Sequence, residues 1–277
     1  MQIHAIQTGT VAIKTRQMRG KGTGIARNLR VLFDRGWTEY LPIYSWVIEH
    51  PEGLIVVDTG ETARTSEADF FPRWHPFFRT CARIAVTKDQ EIGPQMRAVG
   101  LSPEDVRWVV LTHLHTDHSD GMQYFPKSEV MIHRPEYAVA SGKLGTVRGY
   151  LANKWPTSLS PRLFDFPAEQ FGPFSKSLAL TKAKDVILVA TEGHTSGHIS
   201  VIVREAENSL FIAGDTSYTQ SLLVEQAIDG VAPKDKPALE TLQRIALYAR
   251  ENPTVYLPSH DPESVSRLKT RTVVPIG

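Results

Sequence analysis

The 277 residues carry 31 Lys and Arg against 30 Asp and Glu, with 41% hydrophobic residues, a balance that allows a sizeable core but supplies no basic field for nucleic acid or an anionic membrane surface. No window approaches the roughly 20 apolar residues of a bilayer span, and the first residues lack the apolar core of a leader, so an unprocessed chain without a membrane span is expected. The one cysteine, Cys81, cannot form an intramolecular disulfide, which suits a reducing compartment and makes a cytoplasmic location the expectation. Between Lys14 and Arg30 lie six basic residues and no acid, which reads as the solvated face of a hairpin. Short runs rich in Val and Ile follow at 41–50, 54–58, 106–113, 129–133, 185–191, 198–205, 209–215 and 254–260, with the length and composition of strands. Before the last of them, 236–253 repeats apolar residues at helical spacing, with Leu239, Leu242, Ile245, Ala246 and Ala249 on one face and Pro253 at the end. Two aromatic, Pro-punctuated stretches, about 61–86 and 140–183, interrupt this pattern as insertions in what reads as one domain spanning 1–277.

Polar residues sit at the ends of several strands: Asp58, His113, Asp215 and His260, with His194 just beyond another. Strand-end loops on a rigid scaffold are where reactive groups are both fixed and accessible. The stretch "THLHTDH" crowds His113, His115, Asp117 and His118 together. In extended backbone i and i+2 point the same way, so His113 and His115 can grip one cation while Asp117 and His118, where the chain turns, face a second. Imidazole and carboxylate without thiolate suit zinc first, with iron, cobalt and manganese as alternatives. His194 can then complete the first site, His260 the second, and Asp215 bridge them. His4, His50, His75 and His133 read as ordinary hydrogen-bonded histidines, and His198 as structural rather than ligating.

These residues resemble a known family. "THLHTDH" is similar to the HxHxDH signature of the metallo-β-lactamase superfamily, and "VVDTG", "GHTSGH", "AGDTSY" and "PSHD" resemble its remaining motifs in the same order. The resemblance implies an α/β fold of the αββα sandwich type: two mixed β-sheets with helices on both outer faces. It also implies two divalent metal ions, the first held by His113, His115 and His194, the second by Asp117, His118 and His260, with Asp215 between them and Asp58 supporting the ligands from behind. Aspartate rather than cysteine at 215 departs from the β-lactamases of this fold. The short tail after His260 leaves no room for the helical glutathione-binding domain of glyoxalase II. "DTSYTQS" looks like the N-acyl homoserine lactonase branch, in which Tyr218 touches the substrate.

The expected activity is therefore opening of the lactone ring of N-acyl homoserine lactones (quorum quenching) by a metal-bridging hydroxide, with Asp117 carrying a proton and Tyr218 donating a hydrogen bond. The partner is a small lactone, not nucleic acid. Phe70, Phe71, Trp74, Phe77, Phe78 and Trp155 in the insertions suit the wall of an acyl pocket, packing under a loop, or the contact of a homodimer. Alternatives are a related hydrolase acting on another lactone, a phosphodiester or a sulfate ester, and a mononuclear iron oxygenase, which has no need of a second site built from His118 and His260.

Overall fold

The Val- and Ile-rich runs form strands in the computed structural model of the protein, which describes residues 1–276. β1 (Gln2–Ile13), β2 (Leu41–Glu49), β3 (Leu54–Val57), β4 (Ala82–Ala85), β5 (Val106–Val110), β6 (Glu129–His133) and β7 (Arg162–Phe164) make one sheet in the order β4-β1-β2-β3-β5-β6-β7. β8 (Ser177–Ala179), β9 (Val186–Ala190), β10 (Ile199–Arg204), β11 (Ser209–Gly214) and β12 (Thr254–Pro258) make a second, in the order β12-β11-β10-β9-β8. Both are mixed: β3, β5, β6 and β7 run parallel, as do β11 and β12, and the remaining pairs are antiparallel. Helices are α1 (Thr15–Met18), α2 (Gly24–Leu32), α3 (Pro76–Thr80), α4 (Ile92–Ala98), α5 (Thr116–Ser119), α6 (Arg134–Ala140), α7 (Gln220–Val224), α8 (Asp235–Glu251) and α9 (Ser264–Thr270). Among the described residues no helix is long and apolar enough to cross a membrane.

The chain divides into two compact units, neither of them continuous. The first comprises Met1–Lys14 and Trp37–Phe164, the second Thr15–Gly36 and the residues from Asp165 onward. In the first, Val47, Val56, Val109 and Ile132 from the sheet pack with Ile92 and Met96 of α4 and Ala140 of α6. In the second, Val189, Ile202, Phe211 and Tyr256 pack with Leu223 of α7 and with Leu242, Ile245 and Tyr248 of α8. Two mixed sheets, each covered by helices, match the fold class expected from the motifs.

Three local expectations are corrected. The basic 14–30 stretch is not a hairpin: α1 and α2 occupy it, and Arg27, far from being solvated, is fully buried with its guanidinium on Asp235 Oδ1 at 2.5 Å and on the Ala232 carbonyl. Helix α8 turns a slightly different face inward, since Leu239 is 38% exposed while Ala238, Thr241 and Tyr248 are buried. The 61–86 stretch is not wholly outside the scaffold either, because β4 pairs with β1 from Thr10↔Ala85 to Ile13↔Ala82.

Candidate metal centre

In the first unit the parallel pair β3 and β5 sets the chain segments that follow them side by side. Asp58, just past β3, takes a left-handed backbone (φ 59°), a conformation in which Asp and Asn are among the better tolerated side-chain-bearing residues. Its buried carboxylate then accepts the Thr112 N–H and hydroxyl at 2.8 Å each, and a hydrogen bond from His118 Nδ1 at 2.8 Å. Because the Thr112 hydroxyl donates to Asp58, its oxygen is left to accept from His113 Nδ1, 3.1 Å away. In both His113 and His118 the proton is thus held on Nδ1 and the lone pair lies on Nε2. His113 Nε2 and His115 Nδ1 stand 3.0 Å apart, and His118 Nε2 lies 3.8 Å from Asp117 Oδ1. The structure brings all four residues of the cluster to one loop around α5, which the Thr59 N–H fastens through the His118 carbonyl at 2.7 Å.

In the second unit, Asp215 follows β11 and is 3% exposed. One of its oxygens lies 3.5 Å from His194 Nε2 and the other 3.4 Å from His260 Nε2. One imidazole on each carboxylate oxygen is the arrangement a bridging carboxylate needs. His194 Nδ1 is held by Asp229 Oδ2 at 3.0 Å, again leaving the lone pair on Nε2. The Tyr218 ring stacks on His260, with centroids 5.5 Å apart, and meets His194 edge-on at 6.2 Å. His198 bonds Thr191 through Nδ1 at 2.9 Å and accepts the Asp215 N–H on Nε2 at 3.1 Å, so both nitrogens are engaged in holding the strand end. The donor chemistry fits divalent transition metals: imidazoles, with Nδ1 of His113, His118 and His194 engaged and their Nε2 left to ligate, and carboxylates among them.

The profile of the metallo-beta-lactamase superfamily matches residues 38–260, which takes in all seven of these side chains. The chain belongs to this superfamily. N-acyl homoserine lactonase AttM of Rhizobium radiobacter is 24% identical over 274 residues, 97% of this chain and 96% of the relative, and an N-acyl homoserine lactonase of Bacillus sp is 27% identical over 227 residues, 80% and 82% respectively. Among solved structures, an N-acyl homoserine lactone hydrolase with the product N-hexanoyl-L-homoserine at its catalytic metal center aligns with a TM-score of 0.74 at 20% identity, covering 95% of this chain and 94% of that one. AidC, a dizinc quorum-quenching lactonase, aligns with a TM-score of 0.60 at 14% identity over 94% and 87%.

Asp229 is one residue beside the candidate ligands that sequence reading missed. It lies in "AIDGVAP", where an Asp-Gly pair signals only a turn. That turn is present, since Asp229 Oδ1 accepts the N–H groups of Val231 and Ala232, and the second oxygen is thereby aimed at His194. Glu136 is a second omission: it is buried and accepts the Leu114 N–H and the Tyr150 hydroxyl, bracing the loop between His113 and His115. Beside Asp117, burial pushes the Asp120 carboxyl up to about 7, and burial with the charges of Asp120 and Asp117 holds Glu61 well above the usual carboxylate range. Of the histidines set aside, His4 pairs with Glu49 at 2.7 Å, His50 accepts the Glu52 N–H, His75 bonds the Val147 carbonyl and His133 packs beside Phe164. The insertion aromatics pack largely on one another: Phe71 stacks on Phe78 at 4.7 Å and Phe70 meets Phe71 edge-on, while Trp74 stays 62% exposed and Trp155 lies against Tyr137.

Proposed function

We propose that this protein is a dinuclear metal-dependent hydrolase that opens the lactone ring of N-acyl homoserine lactones, the chain acting as a single domain. The observation that carries the reading is the pair of carboxylate-backed histidines, His118 on Asp58 and His194 on Asp229, each with its Nε2 lone pair presented beside further ligands. The lactonase relatives supply the substrate class. His113, His115 and His194 would hold one ion, Asp117, His118 and His260 the other, with Asp215 shared. When bound, such ions supply a nucleophilic water at neutral pH and Lewis-acid polarisation of a carbonyl.

The chain's own groups do the rest. Tyr218 Oη donates a hydrogen bond to the carbonyl oxygen as it gains charge, which stabilises the transition state more than the ground state. Asp117, whose side chain is 19% exposed, accepts a proton from the attacking water and delivers it to the ring oxygen as the C–O bond breaks. Ring opening thus consumes one water and yields the hydroxy acid.

Two measurements test this. Elemental analysis of purified protein should give close to two equivalents of transition metal, zinc foremost, and a value fixed at one after reconstitution overturns the dinuclear assignment. In a pH-stat, acyl homoserine lactones should release acid under catalysis; a protein that opens none of them yet cleaves phosphodiesters or sulfate esters belongs to another branch of the superfamily.

A further inference from the structure

Gln17 lies in α1, outside every motif, and is 5% exposed. Its side-chain Nε2 donates to the Tyr218 hydroxyl at 3.0 Å, and its backbone carbonyl accepts the Gly230 N–H at 2.7 Å. One residue therefore ties the tyrosine to the turn that carries Asp229. Its neighbours fasten the same turn: the Gly20 N–H donates to the Ile228 carbonyl at 2.9 Å, and Arg27 holds the Ala232 carbonyl and Asp235. The basic stretch that reads as a solvated face thus clamps the loop behind His194.

A phenol hydroxyl has one proton to give and lone pairs to receive. Because Gln17 donates, it occupies a lone pair and leaves the phenolic proton to be aimed elsewhere, and a hydroxyl that accepts one hydrogen bond is a better donor in the next. The ring is already located by its stacking on His260 and its edge contact with His194; only rotation about the C–O bond remains to be set. Gln17 Oε1 is buried without a hydrogen-bond partner among the described residues. An unpartnered buried acceptor is destabilising, and a methionine would fill similar space, so packing alone gives no reason for an amide here. The amide's hydrogen bond in the structure is the one to the tyrosine.

We propose that Gln17 is a positioning residue, whose amide N–H sets the Tyr218 hydroxyl as the donor to the lactone carbonyl. The proposal rests on the lactonase reading for its kinetic consequence but not for its geometry, and the test separates the two. Gln17→Met and Gln17→Glu are made in the parent and in a Tyr218→Phe background, with metal content checked in each. Gln17→Met should lower kcat on an acyl homoserine lactone about fivefold with KM little changed, the scale of one neutral hydrogen bond. Gln17→Glu offers the phenolic proton an acceptor and should fall further, toward the level of Tyr218→Phe. In the phenylalanine background neither change should lower kcat again. Additive losses, or parent activity in Gln17→Glu, overturn the proposal.

The second readout needs no substrate: 3-fluorotyrosine at position 218 should show its ¹⁹F resonance displaced in both Gln17 variants, in protein melting near the parent temperature. An unmoved resonance overturns the proposal whatever the substrate is. A displaced resonance in a parent that opens no lactone overturns the lactonase reading and supports the contact. Gln17→Glu, close to isosteric, carries both readouts if Gln17→Met does not fold.

Discussion

At the scale of single residues, Asp58 and Asp229 do the same work in different backbones. Each carboxylate uses one oxygen to accept a backbone N–H and the other to hold a histidine Nδ1. Removing such a support typically weakens metal affinity 10–100-fold. Asp229→Asn should therefore loosen the ion proposed for His194 by about that factor while the protein still folds, as read by competition with a chromophoric chelator; unchanged affinity removes Asp229 from the proposed centre. Asp58 adds a backbone requirement, because its φ is 59°. Asparagine tolerates that conformation and alanine does not, so Asp58→Asn should lose metal affinity with little loss of stability, whereas Asp58→Ala should lose both. Equal melting temperatures for the two variants would mean that the left-handed conformation at 58 costs nothing.

At the scale of elements, Glu91 fastens the start of the 61–86 insertion to α4. Its buried carboxylate accepts from Thr62 Oγ1 and the Ala63 N–H on one oxygen and from Lys88 Nζ and the Tyr124 hydroxyl on the other. Burial alone would raise its pKa, but the hydrogen bonds from Lys88, Tyr124, Ala63 and Thr62 outweigh it and the net displacement is downward. A depressed folded pKa stabilises fully above the unfolded value near 4.5 and loses that contribution as pH falls through the folded value. Glu91→Gln should cost about 1–3 kcal/mol at neutral pH, and the gap to the parent should close as chemical denaturation is repeated at successively more acid pH. A gap independent of pH would assign the loss to packing. Along α8, Leu242 is fully buried and Leu239 38% exposed; Leu242→Ala should cost about 2–5 kcal/mol and Leu239→Ala about 0.5 kcal/mol or less. The difference marks where sequence reading went wrong. Thr241 and Tyr248 look polar but are buried, because the threonine hydroxyl donates to the Glu192 carbonyl and the tyrosine hydroxyl meets Ser209. β1 was missed for a related reason. Its register shifts between Gln7 and Thr10, with Gly9 at φ 99°, so the alternation that signals a strand breaks in the middle.

At the scale of the whole molecule, the candidate ligands were legible because metal ligation restricts side-chain type and strand ends restrict position, so seven residues in four motifs stand out against any background. The groups behind them were less so: a supporting carboxylate can come from any loop that passes nearby, and Asp229 or Gln17 has no signature of its own. Among the candidate ligands, His113, His115, Asp117 and His118 belong to the first unit and His194, Asp215 and His260 to the second. If these residues hold metal, as proposed, binding stabilises the fold, and a ligand present at 100 times its dissociation constant adds about 2.7 kcal/mol. For a chain of this length that is a rise in Tm of roughly 5 °C or more. Exhaustive chelation should lower Tm by this amount, and added zinc should restore it. His113→Ala and His260→Ala should each reduce the zinc-dependent rise, because each leaves one of the proposed ions with an incomplete set of ligands. If zinc still raises Tm fully in both variants, neither histidine holds an ion that stabilises the fold, and the proposed ligand set is wrong.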